Sequence, residues 1–139
     1  MALRGVDLDV NPRNPAIGAI DRSFSADPEV VTTMAAIEIE AHRAAGILTT
    51  LKHFPGHGDT NLDSHYALPS ITTDLETMRA REWRPFVRAM KSGCNFLMSA
   101  HIVCKKIDAE VPATLSKKIM TDVLRGELRY SGVILSDDM

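Results

Sequence analysis

The residues best suited to chemistry lie in one stretch, 52–65, which reads KHFPGHGDTNLDSH. It holds three of the five histidines of the 139-residue chain, together with a lysine and two aspartates. A short apolar and β-branched run, 47–51, precedes it, so the stretch begins where a strand is expected to end. In parallel α/β folds, ligands bind at the carboxyl ends of the strands. We therefore expect a binding or catalytic site here.

Two kinds of ligand are disfavoured by the local sequence. His53 and His57 have the spacing of a helical zinc pair, but Pro55 and Gly56 prevent the helix that would place both rings on one face. The turn around His57 also lacks the Gly-Lys-Ser/Thr ending and the following helix of a phosphate-binding loop. We predict no metal and no cofactor, and we expect a structural role for His57 in a glycine-rich turn.

Lys52, Asp63 and His65 are stronger candidates for function. A lysine at the end of a buried strand needs a polar partner, such as a sugar hydroxyl or an acid, because an unpaired buried charge is costly. Asp63 can accept a hydrogen bond from one ring nitrogen of His65, which fixes the tautomer, raises the pKa of the ring and leaves the other nitrogen to transfer a proton. Ser64 is a poor nucleophile because it would have to fold back onto His65.

The elements that must position these residues alternate along the chain. Strands are predicted at 6–10, 47–51, 95–100 and 133–135. Helices are predicted at 28–45, 74–92 and 116–130. Asp27 is the expected N-cap of the first helix, Pro85 is expected to break or kink the second, and Ser116 is expected to cap the third. This order indicates parallel βα units, which form either an open doubly wound sheet or a barrel.

Composition limits which classes of molecule the chain could bind. The chain is 45% hydrophobic and 24% charged, with a net charge of −2, which is typical of a soluble globular protein. Because no basic cluster alternates with aromatic residues, we expect neither a nucleic acid nor a membrane as partner. Residues 1–10 contain three charged residues in place of an apolar signal core, which predicts a cytoplasmic location. Cys94 and Cys104 are expected to be reduced, and nothing indicates the oligomeric state.

Four ordered motifs resemble those of the family 3 glycoside hydrolases: DRSF at 21–24, KHFPGHGDT at 52–60, DSH at 63–65 and GVILSDDM at 132–139. The DSH motif resembles the β-N-acetylglucosaminidase branch, which includes the enzyme of peptidoglycan recycling. The family's nucleophile signature is matched at Val123, Leu124, Arg125, Glu127 and 132–137. This resemblance implies a TIM-type (β/α)8 barrel, of which the chain would hold about four parallel βα units. Residues 1–139 would then be the middle portion of a single catalytic domain.

The resemblance also implies an activity: retaining hydrolysis of terminal non-reducing β-N-acetylglucosaminide bonds in peptidoglycan fragments or chitooligosaccharides. The implied catalytic residues are the nucleophile Asp137, the acid/base His65 and its partner Asp63. The implied sugar contacts are Arg22, Lys52, His53 and His101. For His101, a buried structural role is an equal alternative, and Asp138 is expected to be a helix N-cap or a supporting hydrogen-bond acceptor.

Two other functions remain open from the sequence. A β-glucosidase or β-xylosidase of the same family would share Lys52, His53 and Asp137, but it normally takes its acid from a carboxylate elsewhere. A non-catalytic sugar-binding protein is the second alternative. If His65 is the acid/base, we expect the loop that carries it to be mobile until the substrate binds.

Overall fold

The structure of the chain, a computed structural model, describes residues 2–60 and 68–138. The strands in these ranges are β1 (Leu3–Asp7), β2 (Leu48–Phe54), β3 (Ser70–Ile71), β4 (Phe96–Ser99), β5 (Val103–Cys104) and β6 (Val133–Ser136). Four of them form a parallel sheet in the order β1-β2-β4-β6, and β3 pairs with β5 in a small second sheet that the sequence did not predict.

The strand order identifies the architecture. The spatial order of the four strands is the same as their order along the chain, and it never reverses. A doubly wound sheet reverses its order at a switch point, whereas the strands of a (β/α)8 barrel follow one another around the barrel. The sheet is therefore an arc of a barrel, and the predicted α/β fold of TIM type is confirmed.

The helices in the described ranges are α1 (Pro28–Ala44), α2 (Leu75–Thr77), α3 (Trp83–Lys91), a π-helical turn (Met78–Glu82) and a π-helix (Lys118–Glu127). Asp27 caps α1 as predicted, because its side chain accepts a hydrogen bond from the Glu29 N–H at 2.8 Å. The Ser116 hydroxyl accepts a hydrogen bond from the Ile119 N–H at 3.2 Å at the start of the π-helix. Short 3-10 turns occupy Gly18–Ile20 and Ala113–Leu115.

Pro85 was expected to break or kink the second helix, and the expected break is wrong. Pro85 is buried inside α3, and the irregularity lies one turn earlier, in the π-helical turn Met78–Glu82, where the Trp83 N–H bonds to the Met78 carbonyl. A proline in a helix lacks an N–H, and its ring meets the carbonyl four residues earlier. The π-helical turn is wider than an α-helical one and directly precedes this position, and the helix continues through Pro85 to Lys91.

The core lies between one face of the sheet and the helices. Val6, Leu51 and Leu97 are paired in register across β1, β2 and β4, and each is fully buried. The ring of Phe54 stacks on Trp83 at 6.3 Å between centroids and meets Phe86 edge-on at 5.4 Å. This packing fixes the end of β2, where the residues of interest lie.

All four strands of the main sheet differ from their predicted bounds, and the differences are largest in β1 and β2. β1 ends at Asp7 rather than Val10, and β2 runs three residues beyond Leu51, so that Lys52 and His53 belong to the strand. The Lys52–His53 and Phe54–Pro55 peptide bonds are both cis. No helix within residues 2–60 and 68–138 has the length and hydropathy required to cross a bilayer.

Candidate functional site

The candidate site lies where the parallel strands of the main sheet end. Asp7 is the last residue of β1, His53 is the penultimate residue of β2, and Asp137 directly follows β6. The pairing of Asp7 with Lys52, and of Ser99 on β4 with Ser136 on β6, brings these strand ends to one edge of the sheet. This edge corresponds to the mouth at which barrel enzymes carry their active sites.

A buried carboxylate stands at the centre of the site. Asp9 is completely buried, and its Oδ2 atom accepts a hydrogen bond from Nδ1 of His53 at 2.7 Å. The same oxygen accepts the His53 N–H at 3.3 Å, while Oδ1 accepts the His57 N–H at 2.6 Å. Asp9 therefore connects the end of β1 to both ends of the segment 53–57.

Arg22 approaches His53 from the other side of the ring. Its Nη2 atom donates a hydrogen bond to Nε2 of His53 at 3.1 Å and also lies 3.1 Å from Oδ2 of Asp7. The side chain of Arg22 is 33% exposed, whereas that of Asp7 is 8% exposed. The guanidinium group therefore has one side held by the protein and another side open to the mouth.

Asp137 completes the group. Its Oδ2 atom lies 3.9 Å from Nε2 of His53, and its side chain is 16% exposed. Its Oδ1 atom accepts the Asp138 N–H at 2.9 Å, and its backbone N–H bonds to the Ser99 carbonyl at 3.1 Å. One carboxylate oxygen is thus fixed by the backbone, and the other faces the imidazole of His53.

The two buried carboxylates differ in protonation. Burial raises the pKa of Asp7 to about 9, and the neighbouring charge of Asp9 adds to this effect, while Arg22 opposes it. Burial alone would also raise the pKa of Asp9, but the hydrogen bond from His53 is the largest of several interactions that lower it to about 2. At neutral pH the pair therefore carries one negative charge, on Asp9.

His57 lies within the turn, as its neighbouring glycines predict. Its ring is buried, contacts His53 edge-on at 5.8 Å and pairs with the Thr60 hydroxyl through Nδ1 at 2.7 Å. Burial lowers its pKa, which keeps the ring neutral. Asn14 holds the same turn, because its amide nitrogen donates to the carbonyls of His57 at 3.0 Å and Gly58 at 2.9 Å.

Lys52 lies on the opposite face of the strand from Leu51, across the backbone of Gly5. A Cβ atom on Gly5 would lie 2.6 Å from Cε and 3.0 Å from Nζ of Lys52. Among residues 2–60 and 68–138, no acceptor is paired with this ammonium group. The lysine predicted from sequence therefore reaches the sheet face that carries Asp7, with its charge available to a ligand.

His101 has a protein partner at each ring nitrogen. Its Nε2 atom lies 3.2 Å from the carbonyl oxygen of Asp137 and 3.0 Å from that of Asp138, and Nδ1 lies 2.9 Å from the Thr114 hydroxyl. Because carbonyl oxygens only accept, Nε2 carries the proton. This geometry favours the structural alternative for His101 over a direct sugar contact.

Asp63 and His65, the predicted acid/base pair, lie outside the described residues. The loop that was expected to be mobile lies outside them as well. The residues on its amino-terminal side are held by side-chain contacts. Oδ2 of Asp59 accepts a hydrogen bond from the Thr73 hydroxyl at 3.0 Å and from the Arg81 guanidinium. Arg81 in turn pairs with Glu82, which lies against Gly56.

Sequence reasoning missed Asp7 and Asp9, which organise the site. The signal was present, because two carboxylates in the apolar run VDLDV are unusual in a strand that must be buried. Their partners, Arg22 and His53, are distant in sequence and become visible only when β1 pairs with β2. Asn14 was likewise missed, although it is 1% exposed and its side chain bonds to five backbone groups of other residues.

Asp7, Asp9 and His53 have ligand atoms within 4.8 Å of one another, which is close enough for a metal site. Nδ1 of His53 already bonds to Asp9, and Oδ2 of Asp7 lies 3.1 Å from Nη2 of Arg22 but accepts no hydrogen bond within the described residues. The guanidinium group supplies the positive charge that a metal ion would bring. We assign no metal to this cluster.

The groups at the mouth combine hydrogen-bond donors with one partly exposed carboxylate. A partly exposed carboxylate, a guanidinium group and a lysine surround a space at the strand ends, with an imidazole fixed between them. Fixed N–H donors of this kind bind the hydroxyl groups of a sugar, and a carboxylate beside them can attack an anomeric carbon.

Comparison with known proteins agrees with this interpretation. A beta-hexosaminidase A from Pseudoalteromonas piscicida is 42% identical over 144 residues, which cover 95% of this chain and 24% of that protein. A beta-hexosaminidase from Xanthomonas oryzae pv. oryzae is 39% identical over 141 residues, covering 97% of this chain and 41% of the relative. The structure of a glycoside hydrolase family 3 beta-N-acetylglucosaminidase from Paenibacillus sp. has a TM-score of 0.90 and 38% identity, covering 99% of this chain and 26% of that one.

The chain thus spans less than half the length of these relatives. Residues 5–139 match the Glycosyl hydrolase family 3 N terminal domain, so the match extends over nearly the whole chain. The motifs at 21–24, 52–60 and 132–139, on which the resemblance rested, all fall within it. The chain belongs to glycosyl hydrolase family 3.

Proposed function

We propose that the full-length protein hydrolyses terminal non-reducing β-N-acetylglucosaminide bonds with retention of configuration. The observation that carries this proposal is the Asp137 carboxylate, which is 16% exposed and lies 3.9 Å from Nε2 of His53 at the strand ends. The names of the relatives, beta-hexosaminidase and beta-N-acetylglucosaminidase, support the choice of sugar. Peptidoglycan fragments or chitooligosaccharides are the proposed substrates.

Asp137 is the proposed nucleophile because its two carboxylate oxygens have different surroundings. Oδ1 accepts the Asp138 N–H, which fixes the plane of the group, and Oδ2 faces the mouth beside His53. Successive side chains on an extended backbone point to opposite faces, so Asp138 is directed away from the attacking position. Asp138 therefore supports the nucleophile through its backbone.

The sugar is held by nitrogen donors on β2 and on the loop after β1. Arg22 keeps one side of its guanidinium group on His53 and Asp7 and offers the rest to the mouth. Lys52 offers an ammonium group that no acceptor in the described part of the chain neutralises.

His65 and Asp63 supply proton transfer in this proposal. In the first step Oδ2 of Asp137 bonds to the anomeric carbon while the glycosidic C–O bond breaks, and protonated His65 gives its proton to the leaving oxygen. In the second step neutral His65 takes a proton from water, the water oxygen bonds to the anomeric carbon, and Asp137 is released. A histidine has an unperturbed pKa of about 6.5, so it can perform both roles near neutral pH.

The domain assignment is also a proposal. Residues 1–139 would form the middle portion of one catalytic barrel, with a carbohydrate as partner and neither a nucleic acid nor a membrane. The arc of four parallel strands supports this, because a barrel closes only when further strands pair with β1 and β6. A cytoplasmic location stays a prediction, which fractionation of cells producing the full-length protein would test.

The test uses the full-length protein with nitrophenyl β-glycosides of N-acetylglucosamine, glucose and xylose. We expect rapid hydrolysis of the first and release of the β-anomer, followed by proton NMR, with little turnover of the others. Preference for the glucoside or xyloside would support the alternative specificity within the family. Sugar binding without turnover of any of the three would support a non-catalytic protein and refute the proposal.

A further inference from the structure

Asp9 is shielded from solvent and so cannot contact a substrate, yet both oxygens of its side chain are held by hydrogen bonds. It is completely buried, and its two oxygens accept three N–H groups: Nδ1 and the backbone of His53, and the backbone of His57. A carboxylate in a dry environment is stable only when its charge is satisfied in this way. Asp9 must therefore act through the residues that it holds.

The contacts of His53 agree on one protonation state. Ionised Asp9 only accepts hydrogen bonds, so Nδ1 of His53, 2.7 Å from it, carries a proton. Arg22 only donates, so Nε2 of His53, 3.1 Å from Nη2, presents a lone pair. A proton on Nε2 would point an N–H at the Arg22 N–H, which excludes both the other tautomer and the doubly protonated ring in this arrangement.

We propose that Asp9 is a positioning residue, which fixes His53 as the Nδ1–H tautomer so that the lone pair on Nε2 holds the Arg22 guanidinium beside Asp137. The catalytic consequence rests on the proposed function, whereas the tautomer does not. The hydrogen bond from the His57 N–H to the Asp9 side chain fixes the orientation of the carboxylate. It keeps Oδ1 engaged with His57, so that Oδ2 is the oxygen that faces the His53 ring.

Asp7 provides a matched comparison two residues away on the same strand end. It also contacts Arg22, but burial and the neighbouring Asp9 keep it protonated at neutral pH. A protonated carboxyl group resembles an amide in charge and shape, with one donor side and one acceptor side. Asp7→Asn therefore changes the hydrogen-bonding pattern much less than Asp9→Asn does.

In Asp9→Asn the amide oxygen is expected to keep the shorter of the two backbone bonds, that from the His57 N–H at 2.6 Å. This turns the amide NH2 towards Nδ1 of His53 and removes the acceptor of the His53 backbone N–H. The ring must then accept at Nδ1 and carry its proton on Nε2, directed at Arg22. We expect kcat/KM for the nitrophenyl N-acetylglucosaminide to fall roughly 100-fold, because a catalytic-site imidazole held in the wrong tautomer is strongly impaired. Asp7→Asn is expected to lose no more than about tenfold.

The tautomer is read directly from two-bond ¹H–¹⁵N correlation spectra of the full-length protein labelled with [¹⁵N]histidine. The His53 signals are assigned by their loss in His53→Gln. We expect Nδ1–H and unprotonated Nε2 in the wild-type protein at pH 7, and the reverse in Asp9→Asn. Thermal melting of each variant identifies any loss of folding.

The proposal is overturned if wild-type His53 carries its proton on Nε2 or is doubly protonated at pH 7. It is also overturned if folded Asp9→Asn keeps the Nδ1–H tautomer or loses no more activity than Asp7→Asn. If Asp9→Asn does not fold, the wild-type spectrum still decides between the tautomers. A wild-type protein that shows the expected tautomer but hydrolyses none of the glycosides would refute the proposed function and leave the tautomer assignment standing.

Discussion

The side chain of Lys52 lies directly against the backbone of Gly5, in space that the Cβ atom of any other residue would occupy. Gly5→Ala would place a methyl group 2.6 Å from Cε of Lys52. Since only the flexible end of a lysine has to move, we expect the melting temperature to change little. We expect kcat/KM to fall about tenfold or more, because displacing a substrate-binding group by about 1 Å is costly to catalysis.

Gly126→Ala is the matched control for this substitution. A Cβ atom there would meet only the Thr121 carbonyl oxygen, at an ordinary distance of 3.5 Å. We expect this variant to retain wild-type kinetics. If Gly5→Ala and Gly126→Ala have the same kcat/KM, then Lys52 does not bind the substrate from its present position.

Asp137→Ala and His65→Ala should have distinct kinetic effects in the full-length protein. Without Asp137 no glycosyl intermediate forms, so turnover is expected to be lost for every leaving group. Without His65 an activated nitrophenol can still leave, but water activation slows, so the intermediate should accumulate and azide should accelerate its breakdown. The measurements are the burst phase and the azide dependence with good and poor leaving groups. Equal losses in both variants, without azide rescue, would show that His65 is not the acid/base.

Glu82 should make the stability of the fold depend on pH. It is 2% exposed, and burial raises its pKa from 4.5 to about 7, although Arg81 opposes the shift. Between these pH values the unfolded chain has released the proton while the folded protein retains it. The free energy of unfolding therefore falls as the pH rises from about 4.5 to about 7, by roughly 3 kcal/mol if the whole shift applies.

Glu82→Gln removes this titration and keeps the shape of the side chain. Asp7 contributes a slope of the same sign up to higher pH, so the difference between wild type and variant isolates Glu82. We expect the melting temperature of the wild type to fall relative to that of Glu82→Gln between pH 5 and pH 7.5. Parallel melting curves over this range would contradict the raised pKa.

His101 is expected to position the nucleophile without contacting the sugar. Its Nε2–H reaches the carbonyl oxygens of Asp137 and Asp138, so His101→Ala should lower kcat roughly 10- to 100-fold with little change in KM. His101→Gln, which retains an N–H donor of similar reach, should recover part of the loss. A direct sugar contact would instead raise KM and change the response to substrates that lack single hydroxyl groups.

The placement of several candidate residues could be predicted because they stand beside strand ends in chain order. Arg22, Lys52, His53 and Asp137 follow three predicted strands, and a parallel barrel brings such positions to one edge. The buried acids could not be assigned in the same way. Asp9 acquires its role from the hydrogen bond to His53, 44 residues away, and that contact depends on the pairing of β1 with β2.

The ends and irregularities of the helices could also be predicted only in part from the sequence. Asp27 and Ser116 could be identified as caps because capping depends on nearby residues. The effect of Pro85 could not be predicted in this way. The helix accommodates this proline next to a π-helical turn, and the sequence of that turn does not distinguish it from an ordinary α-helical turn. The sheet of β3 and β5 was missed because each strand has only two residues.

The packing of Trp83 against Phe54 gives the fold a built-in optical probe. Trp83 is the one tryptophan of the sequence and is 1% exposed, and its indole N–H bonds to the Pro55 carbonyl at 3.1 Å. An indole shielded from water emits at short wavelength, and its emission responds to changes in that hydrogen bond. Since Pro55 lies two residues beyond His53, a sugar that shifts the end of β2 should alter the fluorescence. The difference between wild type and Trp83→Phe would isolate this signal and allow ligand binding to be followed without a chromogenic substrate.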